Sequence, residues 1–306
     1  MQLTPEQVKG RIKNVAKAYK ADARTLMRIY MMERFLERIS ISEYRDNFII
    51  KGGMLVTALV GVALRSTMDI DTSIKNQNLS AEYARRIVDE IKDIDLGDGV
   101  TFEVKDVSNI MDEMEYPGIR FMMNAVMGTL ITPMKIDIST GDVITPRAVE
   151  YQYKLLLDDR SISLWSYNLE TILAEKLQTI LVRGLLNTRM RDFYDIRVLL
   201  SVYEQDIDNE IIKRAFDATC KKRCTERLNE EAPKIISAIG DDTKLHALWK
   251  SYQKKYSYAA DISYEDVMES IKFLWFKKQH ALDGLDESVN NLKKSMVSQP
   301  IDLSDF

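Results

Sequence analysis

Asp69 and Asp71 stand two residues apart in Met68-Asp69-Ile70-Asp71-Thr72-Ser73-Ile74, a run of strand character. Residues two apart on a strand point to the same face. Two carboxylates projecting together repel one another unless a cation lies between them, so the pair is a candidate for binding a divalent metal through oxygen. Upstream, Lys51-Gly52-Gly53 turns the chain from the apolar run Phe48-Ile49-Ile50 into Met54–Val60, an apolar segment of helical length that Gly61 ends. Glycines let a backbone approach a phosphate closely, and N–H groups at a helix start favour an anion. Strand, glycine turn, helix, loop and Asp-x-Asp strand together make one device for a metal and a triphosphate. Asp-x-Asp alone would read as a solvated strand edge.

Further candidates lie downstream. In Lys135-Ile136-Asp137-Ile138-Ser139 the two isoleucines face a core while Asp137 faces the other way, as an outward polar residue or as a third acid. A helix over Leu169–Arg183 buries Leu169, Ile172, Leu173, Leu177 and Ile180, and Lys176 lies beside that face, where its stem can reach a cleft. Arg189-Met190-Arg191-Asp192-Phe193-Tyr194-Asp195 opens another helix, and Arg183, Arg189 and Arg191 make a local basic cluster. Phe193 and Tyr194 read as core. Lys221-Lys222-Arg223 reads as a solvated helix face, and otherwise as a second patch for an RNA backbone.

Composition narrows the chemistry. The chain has 306 residues, 45% hydrophobic and 29% charged, which suits a globular protein of one large or two ordinary domains. No stretch approaches a membrane span, and the N-terminus lacks the apolar core of a signal peptide, so a cytoplasmic location is expected. With two histidines, His246 and His280, both far from the other candidates, histidine-based acid–base chemistry is not expected. Cys220 and Cys224 fall on one face of a predicted helix and read as reduced thiols. A net charge of −4 argues against a general nucleic-acid coat but allows a local basic groove.

The elements that must position these residues follow from capping and periodicity. Thr4-Pro5-Glu6-Gln7 begins one helix, with Val8, Ile12, Val15 and Tyr19 at helical spacing, and Asp22 caps a second. After the glycine-turn region come a helix over Ala81–Ile94, a strand over Val100–Val107 and a loop over Asp112–Gly118. Ile119–Met127 and Leu130–Ser139 form a hairpin, and Ser161–Trp165 is a last short strand. From Asn168 the pattern is helical, with breaks near Asp206, Pro233, Gly240-Asp241 and Asp261, and the final residues are a tail. Two domains are expected, residues 1–167 and 168–306.

Lys51-Gly52-Gly53 followed by Arg65-Ser66-Thr67-Met68-Asp69-Ile70-Asp71 resembles the first motif of the nucleotidyltransferase superfamily, and more closely that of the AbiEii/AbiGii toxin family, to which the MenT toxins are related. The resemblance covers residues 45–203 and the remainder less specifically. It implies an α+β fold, a polymerase-β-like nucleotidyltransferase core with a mixed sheet followed by a helical C-terminal domain. It also implies an abortive-infection toxin that transfers NMP from an NTP. On that pattern Asp69 and Asp71 hold Mg²⁺, and Asp137 joins them and helps to deprotonate the attacking hydroxyl. The superfamily usually has Gly-Ser where this chain has Gly52-Gly53. Backbone N–H groups, Lys51, Arg65, Ser66 or Thr67 would then supply the missing phosphate contact. Thr67 matches a position that contacts phosphate or is modified in related toxins. Lys176 matches the second motif's phosphate-binding lysine, and Arg189, Asp192 and Asp195 match R-x-x-D-x-x-D, with Asp192 preferred as the active acid. AbiEii proteins imply GTP as the nucleotide, the MenT relatives imply tRNA 3′ ends as acceptors, and the family implies an antitoxin partner that is usually a transcriptional regulator.

Two other readings use the same site. A small-molecule nucleotidyltransferase of the antibiotic-modifying kind would have a closed acceptor pocket. A non-catalytic nucleotide-binding protein would keep the fold alone, against which the intact Asp69, Asp71 and Lys176 count.

Overall fold

A reciprocal capping box opens the chain: Gln7 N–H donates to Thr4 Oγ1, and Thr4 N–H to Gln7 Oε1. Helix α1 (Pro5–Ala18) follows and buries Val8 and Ile12. The computed structural model describes residues 3–75, 80–110 and 118–279. The chain separates into two compact units, Met1–Asp142 with Arg147–Tyr167, and Val143–Pro146 with Asn168–Phe306.

In the first unit Asp22 caps α2 (Ala23–Ile41), whose charged residues Glu33, Arg34, Glu37 and Arg38 are buried together with its apolar ones. Each of these buried polar groups has partners, as burial demands. Arg38 forks onto Asp98 at 3.0 and 3.0 Å and donates to Val100 O at 2.7 Å, and Glu33 accepts from Leu156 N–H at 3.0 Å and Tyr153 Oη at 3.3 Å. Then come β1 (Phe48–Lys51), α3 (Gly52–Val60), β2 (Asp69–Ile74), α4 (Ala81–Lys92), β3 (Thr101–Ile110), β4 (Gly118–Met127), β5 (Leu130–Thr140), β6 (Val149–Lys154) and β7 (Ser161–Ser166). They build one mixed sheet in the order β3-β4-β5-β2-β1-β7-β6. The β2–β5 and β1–β7 pairs are parallel and the others antiparallel. Alternation along β2 and β5 buries Ile70, Thr72, Ile136 and Ile138 on one face and leaves Asp69, Asp71, Lys135 and Asp137 half-buried on the other.

The second unit is helical: α5 (Leu169–Arg183), α6 (Met190–Tyr203), α7 (Asn209–Lys222), α8 (Leu228–Asp241), α9 (Thr243–Lys255) and α10 (Tyr264–Gln279). The protein is thus α+β, a mixed sheet with helices followed by a helical C-terminal region.

Four local expectations change. Strand β6 (Val149–Lys154) joins the sheet in addition to the expected strands. Pro233 lies inside α8 and does not break it, because Leu228, Ala232, Ile236 and Ile239 bury one continuous face across it, at the loss of one ladder donor. Cys220 and Cys224 do not share a helical face. Helix α7 ends at Lys222, and Cys224 has φ 52°, so Cys220 is buried while Cys224 is exposed. Strand β2 begins at Asp69, not Met68. Most of the expected loop at 112–118, together with His280 and the tail, lies outside the described residues.

Candidate active site

The polar face of the sheet is organised by register. Lys51 on β1 pairs with Asp71 on β2, Asp71 with Asp137 on β5, and Asp137 with Arg120 on β4. Four adjacent strands therefore contribute one transverse row, Lys51–Asp71–Asp137–Arg120. Two residues along, Asp69 pairs with Lys135 in the same register. Cations flank the carboxylates on this face: Lys51 and Arg120 close the two ends of the row, and Lys135 stands opposite Asp69. Asp71 and Asp137 are the one adjacent like pair in the row.

Asp71 sits against the glycine turn. Its Oδ2 accepts from Gly53 N–H at 3.1 Å. Gly52 has φ +61°, and a Cβ there would lie 2.2 Å from Asp71 Oδ2. The close approach that the glycines permit is thus an approach to this carboxylate, which takes the anionic place at the start of α3. Burial pushes the Asp71 carboxyl above its ordinary range. The Gly53 N–H opposes the shift, and the charges of Asp137 and Asp69 add to it.

The remaining predicted residues are braced from inside. Lys51 Nζ lies 2.7 Å from Asp142 Oδ2, which also accepts from Ser139 Oγ at 2.8 Å. Burial raises the Asp142 carboxyl, but Lys51 and the hydroxyls of Ser73 and Ser139 outweigh it and hold the group below the usual range. Arg65 is 1% exposed, and its Nη1 donates to Gly53 O and Ser66 O, both at 3.0 Å. Thr67 is 2% exposed and lies under Gly53, where a Cβ would meet its Oγ1 at 2.6 Å. Arg65 and Thr67 thus shape the loop beneath the turn and do not line an open phosphate cradle. Ser66 is half-buried.

The carboxylates have resident cations. Lys135 Nζ lies 2.9 Å from Asp69 Oδ2 and 3.7 Å from Asp137 Oδ2. Arg120 grips Asp137 through Nε–Oδ1 at 2.8 Å and Nη2–Oδ2 at 2.7 Å. Sequence reasoning missed both cations. Lys135 was accessible to it, because a residue two before Asp137 must share its face, whereas Arg120 depends on the hairpin register.

The donor set of Asp69, Asp71 and Asp137 is all carboxylate oxygen, which in kind suits Mg²⁺. Its arrangement does not present a closed three-acid site. Among the described residues no three Asp, Glu, His or Cys side chains are grouped to hold a metal. Arg120 engages both oxygens of Asp137 instead.

In the helical unit, Lys176 Nζ lies 3.1 Å from Asp192 Oδ1 and 2.6 Å from Asp195 Oδ2, with both acids buried. Arg189 Nε adds an ion pair to Asp192 Oδ2 at 2.8 Å. The R-x-x-D-x-x-D residues and the motif lysine therefore form one network. Glu175 pairs separately, with Arg223 at 3.3 Å.

A mixed sheet carrying Asp-x-Asp beside a glycine turn, followed by a helical region with a lysine–aspartate network, is the pattern of a nucleotidyltransferase. The chain matches the family described as nucleotidyl transferase AbiEii toxin, type IV toxin–antitoxin system, over residues 34–270, and it belongs to that family. Membership implies a nucleotide substrate and an antitoxin partner. Among solved structures the chain is similar to a candidate nucleotidyltransferase from H. pylori, at 17% identity over 90% of this chain and 98% of that one, TM-score 0.45. It is also similar to JHP933 from Helicobacter pylori, at 16% over 88% and 93%, TM-score 0.44. A third is an antigenic nucleotidyltransferase-like protein from Paracoccidioides brasiliensis, at 13% over 67% and 91%, TM-score 0.37. No curated protein matches. Among the described residues no helix is long and apolar enough to cross a membrane.

Proposed function

We propose that this toxin transfers NMP from an NTP, with GTP the first candidate, to an RNA acceptor such as a tRNA 3′ end. The observation that carries the reading is Asp71 seated on Gly53 N–H at the start of α3, with Asp69 two residues away on the same face. Two carboxylates on one face repel each other unless a cation lies between them; burial first, then the charges of Asp137 and Asp69, push the Asp71 carboxyl up.

Asp69 and Asp71 are the residues that would hold Mg²⁺. When bound, the ion supplies neutralisation of charge on the phosphates. The chain's own residues do the positioning. Gly52 and Gly53 keep the backbone close to Asp71, Arg65 and Thr67 support that turn from below, and Lys51 is held in place by Asp142. Lys135 neutralises Asp69 in the absence of other cations. Asp137 is the candidate acid for accepting the acceptor's proton, and its grip by Arg120 must open for it to do so. Lys176 and Asp192 enter through the family's motifs, as a phosphate contact and an alternative acid.

Incubating the protein with total RNA, each labelled NTP and Mg²⁺ tests the reading. Label in RNA, with GTP preferred, is expected. Label only in a small molecule would move the assignment to the antibiotic-modifying kind, and bound nucleotide without transfer would make the protein a nucleotide-binding one.

A further inference from the structure

The chain is acidic overall, with a net charge of −4, but α9 is not. It carries Lys244, Lys250, Lys254 and Lys255 and no acidic residue. All of these lysines are exposed. At 3.6 residues per turn they fall within about 140° of arc. Buried Leu245, Trp249 and Tyr252 take the opposite side.

The helix runs into Tyr256 and, through a 3-10 turn at Ser257–Ala259, Tyr258. These rings stack on each other with centroids 5.3 Å apart and planes at 21°. Both remain half-exposed. Tyr194 supports Tyr258 at 4.9 Å, and Tyr252 supports Tyr256 at 4.7 Å. Two cations attend Tyr256. The Arg191 guanidinium lies 5.6 Å from its ring centre, with Nη2 donating to the hydroxyl at 3.1 Å, and the Lys255 ammonium lies 5.3 Å away.

Single-stranded nucleic acid is bound in this way: bases stack on supported rings, and phosphates track neighbouring cations. Packing alone would bury the rings and has no use for a lysine stripe. An acidic protein partner would also use the lysines, and tyrosines serve protein interfaces too, but a stacked ring pair flanked by cations is the arrangement that single-stranded bases and phosphates use. The run Lys221-Lys222-Arg223 offers less, because Arg223 turns inward, its Nη1 donating to Gln178 Oε1 at 2.7 Å.

We propose that Tyr256, Tyr258, Arg191 and the lysines of α9 form a stacking surface for single-stranded RNA. The choice of RNA rests on the acceptor reading above. The surface itself rests on the rings and charges.

The test is fluorescence anisotropy of a labelled single-stranded oligoribonucleotide with the full chain, without NTP, as a function of salt. Tyr256→Ala is expected to weaken binding about fivefold to a hundredfold. Tyr256→Phe, which keeps the ring, should bind within about twofold of the parent, because stacking needs the ring face and not the hydroxyl. Lys250→Ala/Lys254→Ala, two exposed positions that leave the fold alone, should flatten the salt dependence by about 0.7 per lysine in log–log slope. Parent-like affinity and salt slope in both the tyrosine-to-alanine and the double-lysine variants would overturn the surface, as would failure of the parent to bind. Transfer is measured in parallel. RNA labelling that both variants keep in full, with binding unchanged, overturns the surface and spares the function. Binding that needs Tyr256 in a protein that never labels RNA does the reverse.

Discussion

Arg120 and Asp137 face each other across the β4–β5 hairpin, and the guanidinium engages both carboxylate oxygens, at 2.8 and 2.7 Å. The acid that the family pattern gives to the metal is therefore occupied by a side chain of the same sheet. Arg120→Ala should release it. The variant is expected to show a larger rise in melting temperature on adding Mg²⁺ or Mn²⁺ than the parent, and to lose no more than about 1 kcal/mol of stability, since Arg120 is partly exposed. Equal shifts in the two proteins would remove Asp137 from the ligand set.

Gly52 and Gly61 both have positive φ, at 61° and 86°, but only Gly52 faces a neighbour. Gly61→Ala meets open space and should cost about 1–3 kcal/mol of backbone strain with nucleotide binding retained. Gly52→Ala drives a methyl into Asp71 and should abolish nucleotide binding in addition. Calorimetric titration of both variants with GTP checks the difference, and intact binding by Gly52→Ala would contradict the role given to the turn.

The legible parts of this fold were those written in local pattern. Thr4 and Gln7, Phe48–Ile50 with Gly52-Gly53, and the hairpin at Gly128 declared their elements through capping, apolar runs and turn chemistry. Strand β6 was legible but overlooked: in Val149-Glu150-Tyr151-Gln152-Tyr153-Lys154 the apolar and polar residues alternate as in a strand, although only Tyr153 ends up buried. The α7–α8 junction was hidden because Cys220–Arg227 carries no Gly or Pro, and the chain turns there through a non-glycine residue at positive φ, Cys224. In the site, Asp69 and Asp71 were visible from spacing. Lys135 was within reach of the same spacing argument, since it lies two residues before Asp137, whereas Arg120 looks like an ordinary outward strand residue until the hairpin register sets it against Asp137. The internal duties of Lys51, Arg65 and Thr67 likewise come from contacts that a motif does not encode.

Lys176 is held by two buried acids, so its loss has a structural consequence as well as a functional one. Lys176→Ala removes the cation that Asp192 and Asp195 share, with Arg189 still paired to Asp192 and the Arg191 charge near Asp195, and should cost about 3–5 kcal/mol. Adding Asp195→Asn should restore part of that loss. A denaturant double-mutant cycle reads the coupling, and additive effects would show that the network carries no energy.

Glu33 predicts a pH signature. Burial raises its carboxyl from 4.5 to about 8, against the bonds from Leu156 and Tyr153. The folded state keeps a proton that the unfolded state has lost, so stability should fall as pH rises from about 4.5 to 8 and level off above, by up to about 1.4 kcal/mol per unit. Glu33→Gln should match the parent near pH 5 and exceed it at pH 8. Parallel stability curves would contradict the assignment.

Asp69 offers the cleanest probe of the central claim. Asp71 also holds the start of α3, whereas Asp69 is half-buried and pairs only with Lys135 among the ion pairs described. The deciding measurement is transfer of labelled NMP to RNA by the parent and by Asp69→Asn at equal concentration and confirmed equal melting temperature. The account predicts RNA labelling by the parent and a loss of at least about a hundredfold in the variant, the scale of several kcal/mol of charge stabilisation. Undiminished labelling by Asp69→Asn would contradict it.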